Sequence, residues 1–196
     1  MYKRQVCHSG QHEGSRTRRY RYWTGRACVG QLSAFGPAAD AGEGPCVTTY
    51  LDTATDLLNR VGQRLGTTDW MKITQQQVDL FADATGDHQW IHTDQGRAAG
   101  GPFKGTIAHG YLTVSLAPIV IGRVLQIREQ TAALHYGLNQ VRFPAPVRVG
   151  SHVRATVSVI RAEQKTAGVE AIFALTYEIQ GEKHPACLAE VIVLYP

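Results

Sequence analysis

Residues 85–92 read Thr-Gly-Asp-His-Gln-Trp-Ile-His, which puts Asp87 and His92 five residues apart just after a glycine. In a loop, that spacing lets both side chains reach one water molecule. A carboxylate beside an imidazole can share a proton transfer near neutral pH, because each group tunes the other. By spacing alone, a loop Asp and His are more often turn-formers or surface groups. Downstream, His109-Gly110 opens an apolar helical pattern. Backbone N–H groups at a helix start have no internal partner and can meet an oxyanion, and a glycine lets a ligand come close to the main chain. The competing reading is packing, with a tight turn at Gly110 and a satisfied, partly buried His109. Asp87, His88, His92, Asp94 and His109 also include suitable metal donors. Acid–base use of the pair needs no ion, and neither a metal nor a cofactor is expected.

Regular elements have to hold these residues. From Thr48 onward the chain reads as folded: Asp56–Gly62 suggests a short helix ending at glycine, and Asp69–Ile73 a first strand. Thr74 with Gln77 three residues on resembles a capping box. Behind it Val78, Phe81, Ala82 and Thr85 form one helical stripe, which Gly86 can stop in a left-handed conformation. The loop from Asp87 to His92 follows directly. Between Ile107 and Ile127, Leu112, Leu116, Ile119, Val120, Val124 and Ile127 recur at helical spacing, with apolar residues on the other sides as well. Such a helix must be buried, and Pro118 predicts a kink within it.

The period then becomes two. Val153, Ala155, Val157 and Val159 alternate with polar residues, as do Val169, Ala171, Phe173, Leu175, Tyr177 and Ile179. Leu134, Tyr136 and Leu138 change phase to Val141 and Phe143, which implies a bulge near Asn139, and Leu188–Tyr195 supplies a last strand. One buried helix and about four antiparallel strands define an α+β class, a curved antiparallel sheet wrapped around one long buried helix. That is a single hot-dog fold, with no internal repeat.

The 196 residues, 43% of them hydrophobic, suffice for one sizeable core. No apolar run reaches about 18 residues and the first residues lack a signal peptide's apolar stretch, so a membrane span and secretion are not expected and the cytoplasm is. The net charge of +4 lies wholly in residues 1–46, which hold seven Lys or Arg against three acidic residues, while residues 47–196 balance at 13 basic and 13 acidic. The head also holds Cys7, Cys28 and Cys46, at no metal-ligand spacing, and mixes Gly, Ser, Arg and Pro without a period. It is expected to be disordered or a non-native extension, with Val47 placed where a GTG start codon could be read. A basic arm for nucleic acid is the other reading, but no nucleic-acid partner is expected. The domain is assigned to residues 47–196, and Cys187, in an apolar strand pattern, is read as a small buried hydrophobe.

Phe81–His92 (FADATGDHQWIH), followed by Thr106–Pro118 (TIAHGYLTVSLAP), closely resembles the MaoC-like family of (R)-specific enoyl-CoA hydratases and dehydratases. The likeness runs from about Asp69 to Tyr195. It implies that Asp87 and His92 hold the catalytic water, that Ala108-His109-Gly110 supplies the oxyanion and substrate-binding element, and that Ser115 matches an active-site serine of some members. Many members place Asn-Pro between the pair, where this chain has the segment His88–Ile91. The spacing survives, and substrate choice is sought in that linker.

The implied reaction adds water reversibly across the trans-2 double bond of an enoyl thioester, giving the (R)-3-hydroxyacyl product, with coenzyme A or acyl carrier protein as carrier. Two rivals remain: a hot-dog thioesterase, and a non-catalytic acyl-thioester-binding subunit of a heteromeric dehydratase. A single layer of this kind has open sheet edges, so a homodimer is expected.

Overall fold

The computed structural model describes residues 48–130 and 132–196. The basic head, with its three cysteines, lies outside the described residues. Strand β1 (Thr49–Leu51) leads into a 3₁₀ helix (Ala54–Arg60), which the sequence placed at Asp56–Gly62. Strands β2 (Arg64–Thr67) and β3 (Met71–Lys72) then line up successively along β6 (His152–Lys165). The strand expected over Asp69–Ile73 is thus only two residues long, and β2 carries the remaining edge. The main sheet has the order β2-β6-β7-β8-β5, with β7 at Gly168–Ile179, β8 at Cys187–Tyr195 and β5 at Leu134–Arg142, all its pairings antiparallel.

Alternation does in the structure what it does in the sequence. Val153, Ala155, Val157 and Val159 of β6 are fully buried, as are Ala171, Phe173, Leu175 and Tyr177 of β7, and their neighbours along β6 point to the other face. The register of β5 on β8 slips between Leu138 and Gln140, where the phase change put a bulge at Asn139, and again between His135 and Gly137. Each slip increases local twist, which helps the sheet curve.

The central helical segment is two helices, α4 (Gly110–Ser115) and α5 (Ala117–Val124), where the sequence suggested one long helix kinked at Pro118. Pro118 has no N–H to give the carbonyl of Val114, so the first helix stops, and proline sits comfortably in the first turn of the second. Val120 and Val124 are wholly buried, and both helices pack against the sheet. The helical reading also ran too far: Leu125–Ile127 form β4, paired in parallel with β1. The hot-dog architecture is unchanged by either correction. Among the described residues, no helix is long and apolar enough to cross a membrane.

Candidate active site

Helix α1 (Gln75–Thr85) positions Asp87. Thr74 caps its start, the Thr74 hydroxyl accepting from the Gln77 N–H while the Gln77 side chain reaches back to the Thr74 N–H. At its end Gly86 takes φ +79°, a left-handed turn that glycine adopts without strain, and donates to the carbonyl of Ala82. The chain therefore leaves the helix sharply, and Asp87, half-buried, follows at once.

His92 lies in the short helix α2 (Trp90–Thr93) and is only 6% exposed. Three bonds hold it. Its N–H donates to the Gln89 carbonyl at 2.9 Å, its carbonyl accepts from Gln75 Nε2 at 2.8 Å, and its ring Nδ1 lies 2.7 Å from the carbonyl oxygen of Ile107. A carbonyl can only accept, so Nδ1 carries the proton and Nε2 keeps its lone pair. Burial pushes the His92 pKa below its ordinary value, and the neighbouring His109 adds to this. The Ile107 hydrogen bond and the Asp87 carboxylate oppose the shift without cancelling it. His92 is thus a neutral imidazole of fixed tautomer at pH 7.

His109 comes from the other side. Residues 106–108 pair with 147–149 through Ala108 N–H to Val147 O and Val149 N–H to Thr106 O, while the Ile107 N–H donates to Ile91 O. That double attachment fixes His109, 3% exposed, immediately before α4. Its Nε2 donates to the Asp87 main-chain carbonyl at 2.9 Å, and its ring stacks on His92 with centroids 3.7 Å apart and planes 28° from parallel. Phe81 tilts against it at 5.1 Å. One polar atom from each of Asp87, His92 and His109 lies within 4.8 Å of the others.

These three groups could offer a metal ion one donor atom each, and with His92 Nδ1 and His109 Nε2 already hydrogen-bonded to carbonyls, each ring has its other nitrogen left to give. The other two donors considered from sequence are elsewhere: His88 turns toward Asp83 at 3.7 Å, and Asp94 caps α3 (Gln95–Ala99) by accepting from the Arg97 N–H.

Gly110 is the first residue of α4, whose first N–H groups have no intrahelical partner. With six residues the helix has little dipole, so any help to an oxyanion comes from these local donors. A Cβ at Gly110 would lie 2.9–3.0 Å from the ring of Phe143, so packing by itself accounts for the glycine. Ser115, the last residue of α4, is exposed and donates its hydroxyl to the Leu112 carbonyl at 2.7 Å. The structure gathers Asp87, His92 and His109, and Gly110 follows His109 directly in the chain. Ser115 lies at the far end of the helix.

Sequence reasoning passed over Gln75, Thr106 and Phe143. Gln75 holds the His92 carbonyl and accepts from the Thr106 hydroxyl at 2.6 Å, and Phe143 fills the space over Gly110. All are contacts distant in sequence, without a local signal. In the His88–Ile91 linker, Trp90 packs under the Arg97 guanidinium at 4.5 Å and against Gly101, where a Cβ would come within 3.0 Å of the ring. Trp90 thus packs on the following segment. Cys187 is buried, which pushes its thiol up to about 12, as expected of a structural thiol.

Residues 56–177 match the family described as MaoC like domain. The chain is 50% identical over 145 residues to 3-hydroxyacyl-thioester dehydratase Z of Mycobacterium tuberculosis, covering 74% of this chain and 96% of that protein. It is 44% identical over 142 residues to Nodulation protein N of Rhizobium leguminosarum bv. viciae, covering 71% and 88%. Among solved structures, the (R)-hydratase from A. caviae involved in PHA biosynthesis superposes with a TM-score of 0.58 at 27% identity, covering 69% of this chain and 96% of that one.

Proposed function

The chain belongs to the MaoC-like dehydratase family, a hydro-lyase assignment, and from that premise we propose that it interconverts trans-2-enoyl and (R)-3-hydroxyacyl thioesters, carried on coenzyme A or acyl carrier protein. The observation that carries this reading is the joint placement of the Asp87 carboxylate and a neutral His92 whose Nδ1 is tied to Ile107, leaving Nε2 as an acceptor. A water molecule has two hydrogens to give. Asp87 takes one and His92 Nε2 the other, which aims an oxygen lone pair at C3 of the enoyl group. As the C3–O bond forms, the water proton passes to Asp87 and charge moves through the conjugated system to the thioester oxygen. Main-chain N–H at Gly110 would meet that charge. Protonated Asp87 then returns its proton to C2, so the elements of water are added and the carboxylate is restored. No metal, redox cofactor or role for Ser115 is required.

We place the protein in a homodimer. Strand β5 ends the sheet with its outer edge unpaired among the described residues, and it exposes Leu134, Tyr136 and Leu138, with Tyr111 and Ile119 also exposed on α4 and α5. Exposed apolar groups along an open edge suit a second copy.

The test is product analysis with crotonyl-CoA. Loss of enoyl-thioester absorbance with formation of (R)-3-hydroxybutyryl-CoA and no free thiol is expected. Release of free thiol would mean a thioesterase. No turnover by the pure protein, restored by a second polypeptide, would mean a subunit of a heteromeric dehydratase.

A further inference from the structure

His109 carries a cost. Its Nδ1 is buried with no hydrogen-bond partner, a condition that opposes folding. Phenylalanine would fill the same space without the orphan atom, and glutamine could supply a donor without the ring. The structure uses both properties of the imidazole. Nε2–H reaches the main-chain carbonyl of Asp87, and the ring face lies flat on His92. His109 is itself held by the pairing of residues 106–108 with 147–149, which does not involve Asp87.

We infer that His109 is a positioning residue for both halves of the dyad: through one hydrogen bond it sets where Asp87 leaves α1, and through ring stacking it sets the plane of the His92 imidazole. This rests on the hydratase reading above and adds a residue that takes no proton and touches no reacting atom. The two imidazoles lie against each other in a buried site, where burial and the neighbouring His109 hold the His92 pKa below its ordinary value. The groups facing this pair are Asp87 from the loop after α1 and the uncharged ring of Phe81 from α1.

The geometry also says how the two contributions separate. His109→Gln can keep the donor to Asp87 while losing the stack, His109→Phe keeps a flat ring while losing the donor, and His109→Ala loses both. Catalytic groups displaced by about 1 Å typically cost on the order of a hundredfold in rate. His109→Ala should therefore lower kcat for crotonyl-CoA hydration by roughly ten- to a hundredfold with KM little changed, and Gln and Phe should each recover part of it.

The second readout needs no turnover. The His92 ring, followed by nitrogen-edited NMR through a pH titration, should titrate at higher pH in His109→Gln than in the parent protein, since the stacked neighbour that shields it and repels its proton is gone. A kcat equal to the parent's in His109→Ala, or an unmoved His92 titration in His109→Gln, would overturn the inference. A parent protein that hydrates no enoyl thioester would overturn the hydratase reading itself. An active parent with unaffected variants would remove only the role given to His109.

Discussion

Replacing Gly110 by alanine decides between the two reasons for a glycine at that position. The backbone there is ordinary helix start, with no positive φ, so alanine meets no backbone strain, and helix propensity slightly favours it. The obstacle is Phe143. The added Cβ would lie 2.9 Å from Cδ2 and 3.0 Å from both Cε2 and Cγ, where ordinary contact begins at 3.4 Å. Because Cγ is among the close atoms, turning the ring about its own axis does not clear it. The whole side chain or the start of α4 has to move. Phe143 is 41% exposed and has room to swing, which holds the cost to about 1–2 kcal/mol, or a fall in Tm of roughly 3–6 °C. Thermal and urea unfolding of Gly110→Ala, Phe143→Ala and the double variant form a cycle that isolates the clash. With Phe143 removed, Gly110→Ala should be neutral or mildly stabilising. Equal losses in the two backgrounds would mean that Phe143 is not the obstacle.

Further outcomes follow from the same geometry. His92 is held neutral by burial, so the acid limb of kcat/KM should fall below pH 6.5, the ordinary histidine value. Its stability effect has the same origin: below pH 6.5 the unfolded chain binds a proton that the folded site resists, so stability should drop as pH falls through that value toward the folded pKa, and His92→Gln should flatten the dependence in urea titrations. The Tyr177 hydroxyl is buried without a partner in the core, and removing it as Tyr177→Phe should raise stability by about 1 kcal/mol. Charges placed on the open edge, as in Leu134→Glu with Leu138→Glu, should shift a sedimenting dimer toward monomer, and an unchanged sedimentation coefficient would place the interface elsewhere.

Where local chemistry sets structure, the sequence was a sufficient guide. The Thr74/Gln77 box and Gly86 bound α1 where capping logic put them, and alternation along β6 and β7 named the buried residues one by one. The phase change before Val141 located a real bulge because a one-residue slip must move every side chain to the other face. Strands β1, β2 and β4 were not visible, being three to four residues long and held by partners far along the chain. Leu125–Ile127 shows the limit well. Its apolar spacing continues the helix, yet β1 pairs with it and wins. In the site, Asp87 and His92 could be named from a motif. Two features could not: the tautomer of His92, which depends on Ile107, and the part played by His109, which depends on a carbonyl 22 residues away.

The central claim is that Asp87 and His92 together activate water. It is tested most directly by the initial rate of crotonyl-CoA hydration in Asp87→Asn and His92→Ala beside the parent protein, followed by the enoyl-thioester absorbance. Both variants should fold and run slower by about two to four orders of magnitude. Parent rates in both would contradict it.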